Sequence, residues 1–256
     1  MTNTSPVVLR EELLPAPVPL YDLPAWRALG VVAGITGRGP DTGRGFDLGL
    51  WTAAPVGEVM GRWGALRRSL PGFDALVLGN QVHGVVVETV GEARGWVQVD
   101  GVDGWVSTRP GTLLTVTVAD CIPVYLVVPG RGVALLHAGW RGTVGGILRT
   151  GLPRLLAGTG ATPSDVIMHA GVGICGPCYE VGSEVMAGCG LLAEGPGPWH
   201  LDLRGYLAAE GERLGIRRIS VSGWCSAHDR PSFYSHRASR GADGRMVAYL
   251  GIPRSD

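Results

Sequence analysis

Short apolar runs separated by glycine recur along the chain, and their β-branched content predicts strands at 31–36, 75–79, 85–90, 105–108, 113–118, 124–128, 133–137, 166–170, 219–222 and 246–251. Helical spacing is clearest in two places. Val144, Ile147, Leu148 and Leu152 follow Thr143 as a predicted N-cap, and Leu203, Tyr206, Leu207 and Leu214 follow Asp202, with Gly215 as the stop. A weaker amphipathic pattern covers 56–70. The Pro-rich start, residues 1–26, reads as a lead-in with a short strand. Residues 27–256 carry neither a repeat nor a linker and read as one α/β domain rich in strands.

Composition narrows this picture. With 42 Gly and 18 Pro in 256 residues the chain approaches low complexity, yet 45% of it is hydrophobic and only 17% charged. Disorder requires the opposite balance, so glycine and proline punctuate a packed fold. Twenty-two basic and 22 acidic residues cancel, leaving no global field to attract nucleic acid or an anionic membrane. Every basic residue is arginine, which excludes Schiff-base lysine chemistry and a P-loop lysine. The first 26 residues lack the basic and apolar regions of a signal peptide. The apolar stretch at 113–128 is interrupted by Asp120 and Pro123 and is too short for a bilayer. Five cysteines, an odd number without scaffold-like spacing, predict reduced thiols and a cytoplasmic protein.

Three loops at predicted strand ends carry chemistry. Gln81 and His83 follow the strand at 75–79, Asp120 and Cys121 follow 113–118, and His137 through Thr143 joins the strand at 133–137 to a helix. His83, Cys121 and His137 together would make a three-ligand zinc site with its fourth position open, although a small core cysteine and hydrogen-bonded structural histidines read equally from single positions. In the third loop Gly139, Gly142 and Thr143 surround Arg141, the composition of an anion site at a helix start or of a glycine turn beside a solvated arginine. Cys175-Gly176-Pro177-Cys178 lies late in the chain inside a glycine run, so it reads as a loop and not as a thioredoxin-like redox motif. Without an upstream His-x-Glu it is no cytidine-deaminase box either.

Taken in order, NQVHG (80–84), ADCIPV (119–124), HAGWRGT (137–143), GPCYEVG (176–182), HLDL (200–203) and FYSHRAS (233–239) with a following GRM resemble the YfiH-like proteins. That family is variously described as laccase-domain, polyphenol oxidase, peptidoglycan-editing and purine nucleoside phosphorylase. The resemblance spans about 31–252 and implies an α/β fold in which layered mixed β-sheets are flanked by helices, an α-β-β-α sandwich. It implies zinc on His83, Cys121 and His137, with copper as the alternative carried by the oxidase label. It also implies phosphorolysis of adenosine, inosine and methylthioadenosine, deamination of adenosine, phenol oxidation or the editing of peptidoglycan precursors. A non-catalytic metal-binding domain is a further reading.

A multicopper oxidase needs many imidazoles, and six histidines spread along the chain cannot supply a trinuclear cluster. Nucleoside chemistry suits the residues better, because an open zinc position activates water and Arg141 with the turn at 139–143 would hold phosphate. Arg38 falls where the family's early arginine motif lies, with Arg44 competing for that place. Asp120 is expected to orient a neighbouring group. Tyr179 and Glu180 are expected beside the pocket as proton carrier and hydrogen-bond partner, Glu180 reading equally as a helix-start carboxylate. Trp140 reads as a base-stacking ring or as a core aromatic. Arg237 stands alone where the family shows two adjacent arginines. The partners expected are a nucleoside and phosphate, with the chain a monomer or small homo-oligomer.

Overall fold

The computed structural model describes residues 6–40 and 45–254. In chain order the strands are β1 (Val7–Leu9), β2 (Glu12–Leu13), β3 (Leu20–Asp22), β4 (Val32–Thr36), β5 (Ala75–Asn80), β6 (Val87–Thr89), β7 (Gly95–Asp100) and β8 (Gly104–Ser107). They continue with β9 (Thr112–Val118), β10 (Ile122–Val128), β11 (Gly132–Ala138), β12 (Ile167–Ala170), β13 (Glu180–Val181), β14 (Trp199–His200), β15 (Arg218–Ser222) and β16 (Met246–Ile252). The helices are α1 (Val56–Ser69), α2 (Trp140–Gly145), α3 (Ile147–Thr159), α4 (Ser183–Gly188), α5 (Leu203–Arg213) and α6 (His236–Ser239).

Fourteen of the strands form two seven-stranded mixed sheets, ordered β1-β15-β12-β10-β11-β8-β6 and β2-β3-β4-β16-β9-β5-β7, and β13 and β14 form a small ribbon. The Pro-rich start thus contributes an edge strand to each sheet. Alternation along single strands explains the layering. On β10, Val124, Leu126 and Val128 meet Leu148, Leu152 and Leu155 of α3, whereas Tyr125 and Val127 face the other sheet. On β5, Val77 points between the sheets while Leu76 and Leu78 pack on Val59, Trp63 and Leu66 of α1. Three apolar cores therefore separate four layers, α1, sheet, sheet, and the α3–α5 face. Strands covered on both sides read as near-continuous apolar runs, which is why the central ones are recognisable in the sequence.

Departures from the predicted elements have local causes. Thr143 is no N-cap: it lies within α2, which begins after Gly139, and Gly146 at φ +93° ends α2 and starts α3. Strand β7 was not predicted because it is an edge strand whose Gln98 and Asp100 break the apolar run. Asp202 does cap α5, its side chain accepting from the Gly205 amide.

The layering positions the site. Strand β9 belongs to one sheet and β10 to the other, and the three residues between them, Ala119-Asp120-Cys121, carry the chain across.

Candidate active site

At that crossing the structure brings His83, Cys121 and His137 together, one donor atom from each lying within 4.8 Å of the others. His137 projects from the end of β11 and is buried, Cys121 is half-buried, and His83 is exposed. The cluster is therefore closed on the protein side and open on the side of His83. Only His83 (φ +60°), Asp120 (φ +82°) and Arg240 (φ +54°) adopt positive φ among the described non-glycine residues. One of these three is a cluster donor and another directly precedes Cys121, so backbone strain is concentrated where the donors must be aimed.

Asp103, fully buried at the start of β8, organises the group. One carboxylate oxygen lies 2.8 Å from Nδ1 of His137 and accepts the His83 amide at 3.0 Å, and the other accepts the amides of Val82 (3.2 Å) and Gly84 (2.8 Å). An acceptor with this many donors fixes the proton on Nδ1 of His137 and leaves Nε2 for the cluster. Burial alone would raise the Asp103 carboxyl, but the His137 imidazole and the Gly84 and Val82 amides outweigh it and hold it below its usual range. Burial likewise pushes the Cys121 thiol up, yet the imidazoles of His137 and His83 bring it down to about 6. His137 is lowered by burial but raised by Cys121 and Asp103 to about 9. The site thus favours a thiolate, the form in which cysteine ligates metals.

Gly139 is required here for space. A Cβ on it would stand 2.9 Å from Cδ2 of His83 and 3.1 Å from Sγ of Cys121.

The cluster forms one wall of a cavity of about 440 Å³, a volume suited to a small organic ligand. Gln81, Asp120, Gly139, Arg141, Tyr179 and Arg237 also line it. Arg141 lies over the Trp140 ring at 4.6 Å and pairs with no carboxylate among the described residues. Arg237 stacks on Tyr179 at 5.2 Å and donates to the Glu180 carbonyl. Burial, and then the charge of Cys121, push the Tyr179 hydroxyl up to about 12, so it stays protonated at neutral pH. Asp120 is fully engaged, accepting from the Ser226 hydroxyl (2.7 Å) and the Arg237 amide (2.6 Å). Gln81 clamps β9 by accepting the Thr117 amide (2.7 Å) and donating to the Thr117 carbonyl (2.9 Å).

Four residues named from the sequence are placed elsewhere. Gly142 and Thr143 are buried inside α2 and do not line the cavity, and the Thr143 amide is taken by the Gly139 carbonyl. The Glu180 side chain is exposed and away from the cavity wall. Arg38 pairs with Asp243 and lies 4.7 Å over the Tyr234 ring, outside the cavity. Arg44 falls outside the described residues.

Sequence reasoning missed Asp103, although an acid set between Val102 and Gly104 at a strand start is a visible anomaly. It also missed His236 and Arg245, which line the cavity from motifs read for Arg237 and GRM, and Trp51, which no pattern marked.

A family model described as multi-copper polyphenol oxidoreductase laccase matches residues 35–253. A purine nucleoside phosphorylase of Deinococcus radiodurans is 38% identical over 234 residues, covering 88% of each chain. Adenosine deaminase RL5, from an unknown prokaryotic organism, is 32% identical over 250 residues, covering 88% of this chain and 94% of its own. The crystal structure of YlmD from Geobacillus stearothermophilus superposes with a TM-score of 0.83 at 30% identity, covering 96% of this chain and all of that one. With the motif series, the layered sheets and the donor cluster in place, the chain belongs to the YfiH-like family of purine nucleoside phosphorylase relatives.

Proposed function

We propose that the chain is a zinc-dependent purine nucleoside phosphorylase acting on adenosine, inosine and methylthioadenosine, with adenosine deamination as a second reaction. One observation carries this reading: a soft three-donor cluster and the carboxylate-free Arg141 share a single nucleoside-sized cavity. One thiolate and two imidazoles, buried on one side and open on the other, fit a zinc ion that keeps a free position. Bound there, zinc would supply Lewis acidity and water activation.

The chain's own residues account for the remaining needs. In phosphorolysis a phosphate oxygen bonds to the ribose C1′, the C1′–N9 bond breaks, and its electron pair and a proton end on the purine. Arg141, which lines the cavity, would hold the phosphate with the planar fork of its guanidinium, seconded by Arg237. The protonated Tyr179 hydroxyl is a donor for the departing base. Trp51 and Trp140 line the same cavity and offer aromatic faces to the purine.

Deamination is included because adenosine deaminase RL5 is among the relatives and because water activation is the chemistry it needs. Copper, which the oxidase description implies, suits these residues less well. Apart from His83 and His137, His236 lines the cavity, while His169 is sealed in the core between Glu11 and Ser220.

The test is incubation of zinc-replete protein with each nucleoside, with and without phosphate. Base and the (methylthio)ribose 1-phosphate should form only with phosphate, and inosine should form from adenosine in either case. Absence of base release from all three nucleosides overturns the phosphorylase reading.

A further inference from the structure

A second group of donors converges away from the cavity wall just described. Cys175, Cys178, Cys225 and His228 each place a donor atom within 4.8 Å of the others. They arrive as two short pairs. Cys175 precedes and Cys178 ends the turn Gly176–Cys178, and Cys225 and His228 occupy the turn after β15. The spacings Cys-x-x-Cys and Cys-x-x-His are those of two zinc knuckles, although 46 residues separate the pairs. Backbone pairing brings the turns together: Gly173 bridges Cys225, and the Ser226 amide donates to the Gly173 carbonyl at 3.0 Å.

The distances match a metal polyhedron. Sγ of Cys175 and of Cys178 lie 3.7 and 3.5 Å from Nδ1 of His228. In a tetrahedron with ordinary zinc–sulfur and zinc–nitrogen bonds, the sulfur-to-nitrogen edge is about 3.6 Å. The Cys175 amide points at Sγ of Cys225 from 3.3 Å, as an amide does towards a thiolate. On its far side His228 turns Nε2 to the Asp229 carboxylate at 3.5 Å, and the same oxygen accepts the Cys225 amide at 2.8 Å. A carboxylate behind a ligating imidazole is the usual support of a metal-bound histidine. All five cysteines are free, so no disulfide accounts for three thiols at one point.

We propose that Cys175, Cys178, Cys225 and His228 bind a second zinc ion in a closed, structural Cys3His site. Four protein donors leave no position for substrate, unlike the three-donor cluster of His83, Cys121 and His137. The site ties the segment leading into Tyr179 to the turn carrying Ser226, whose hydroxyl holds Asp120 beside Cys121. Its role is therefore to fix one wall of the cavity without entering the chemistry.

Elemental analysis of protein purified under reducing conditions without chelator tests this independently of any activity. The wild type should hold about two zinc ions per chain, and Cys121→Ser, Cys178→Ser and His228→Ala about one each. Cobalt loaded into Cys121→Ser should show tetrahedral d–d bands with strong thiolate charge transfer, and His228→Ala in the same background should abolish them. Should the variants fail to fold, mass-mapped alkylation of the native wild type answers instead. Cys175, Cys178 and Cys225 should be protected with zinc and modified after its removal. A wild type with a single zinc that Cys121→Ser eliminates, or unchanged alkylation with and without zinc, overturns the proposal.

Discussion

Nδ1 of His137 and a carboxylate oxygen of Asp103 stand 2.8 Å apart, buried behind the cavity wall, and the same carboxylate gathers the three amides of the His83 loop. One side chain thus sets both the tautomer of one predicted ligand and the backbone of another. Asp103→Asn keeps the shape but puts an NH2 against amides that need an acceptor. Zinc affinity at the cavity cluster should fall about 10- to 100-fold, read by competition with a chromophoric chelator, while circular dichroism stays native in shape. Unchanged affinity would remove Asp103 from the site.

Gly139→Ala isolates space from charge. The added methyl meets His83 and Cys121 directly. The variant should lose the cavity metal while its thermal stability falls by only about 1–3 kcal/mol, the usual cost of overpacking. A variant that holds metal as the wild type does would show that the donors can be reached from another direction.

Arg141 can be tested by shape as well as charge. Losing a charge-assisted hydrogen bond of about 1.5–3 kcal/mol corresponds to a rise of about 10- to 100-fold in the KM for phosphate. Arg141→Ala should show that rise with little change in the KM for inosine. Arg141→Lys should recover only part of it, because an ammonium lacks the planar fork. Equal effects on both substrates would place Arg141 outside the phosphate position.

Metal removal and exchange separate the nucleoside and oxidase readings. Chelation should abolish base release, and zinc should restore it. Copper-loaded protein should consume no dioxygen with phenols, because the described residues place no trinuclear set of imidazoles at the cavity. Oxygen uptake that tracks copper content would reverse that order.

The central strands were legible because each is covered on both faces, so β9, β10 and β11 read as near-continuous apolar or β-branched runs. The edge strand β7 carries polar residues, and the three strands before Trp26 are only two or three residues long, too short to show a pattern, so tertiary pairing makes them strands. The metal-type donors His83, Cys121 and His137 were legible as residues at strand ends. Their convergence was not, because it depends on β9 and β10 lying in different sheets. Asp103 escaped because its partners are backbone amides and an imidazole 34 residues away, a relationship without a local pattern. Thr143 looked available because a helix start shows free amides, whereas in the structure α2 has already begun and the Thr143 amide donates to the Gly139 carbonyl.

The passage of Ala119-Asp120-Cys121 between the sheets gives the cavity metal a mechanical meaning. His137 stands on one sheet, His83 hangs from the end of β5 on the other, and Cys121 sits on the strap between. An ion held by all three would act as a rivet through the sandwich, so stripping it should quicken amide exchange at the β9–β10 end before the distant strand ends feel any change.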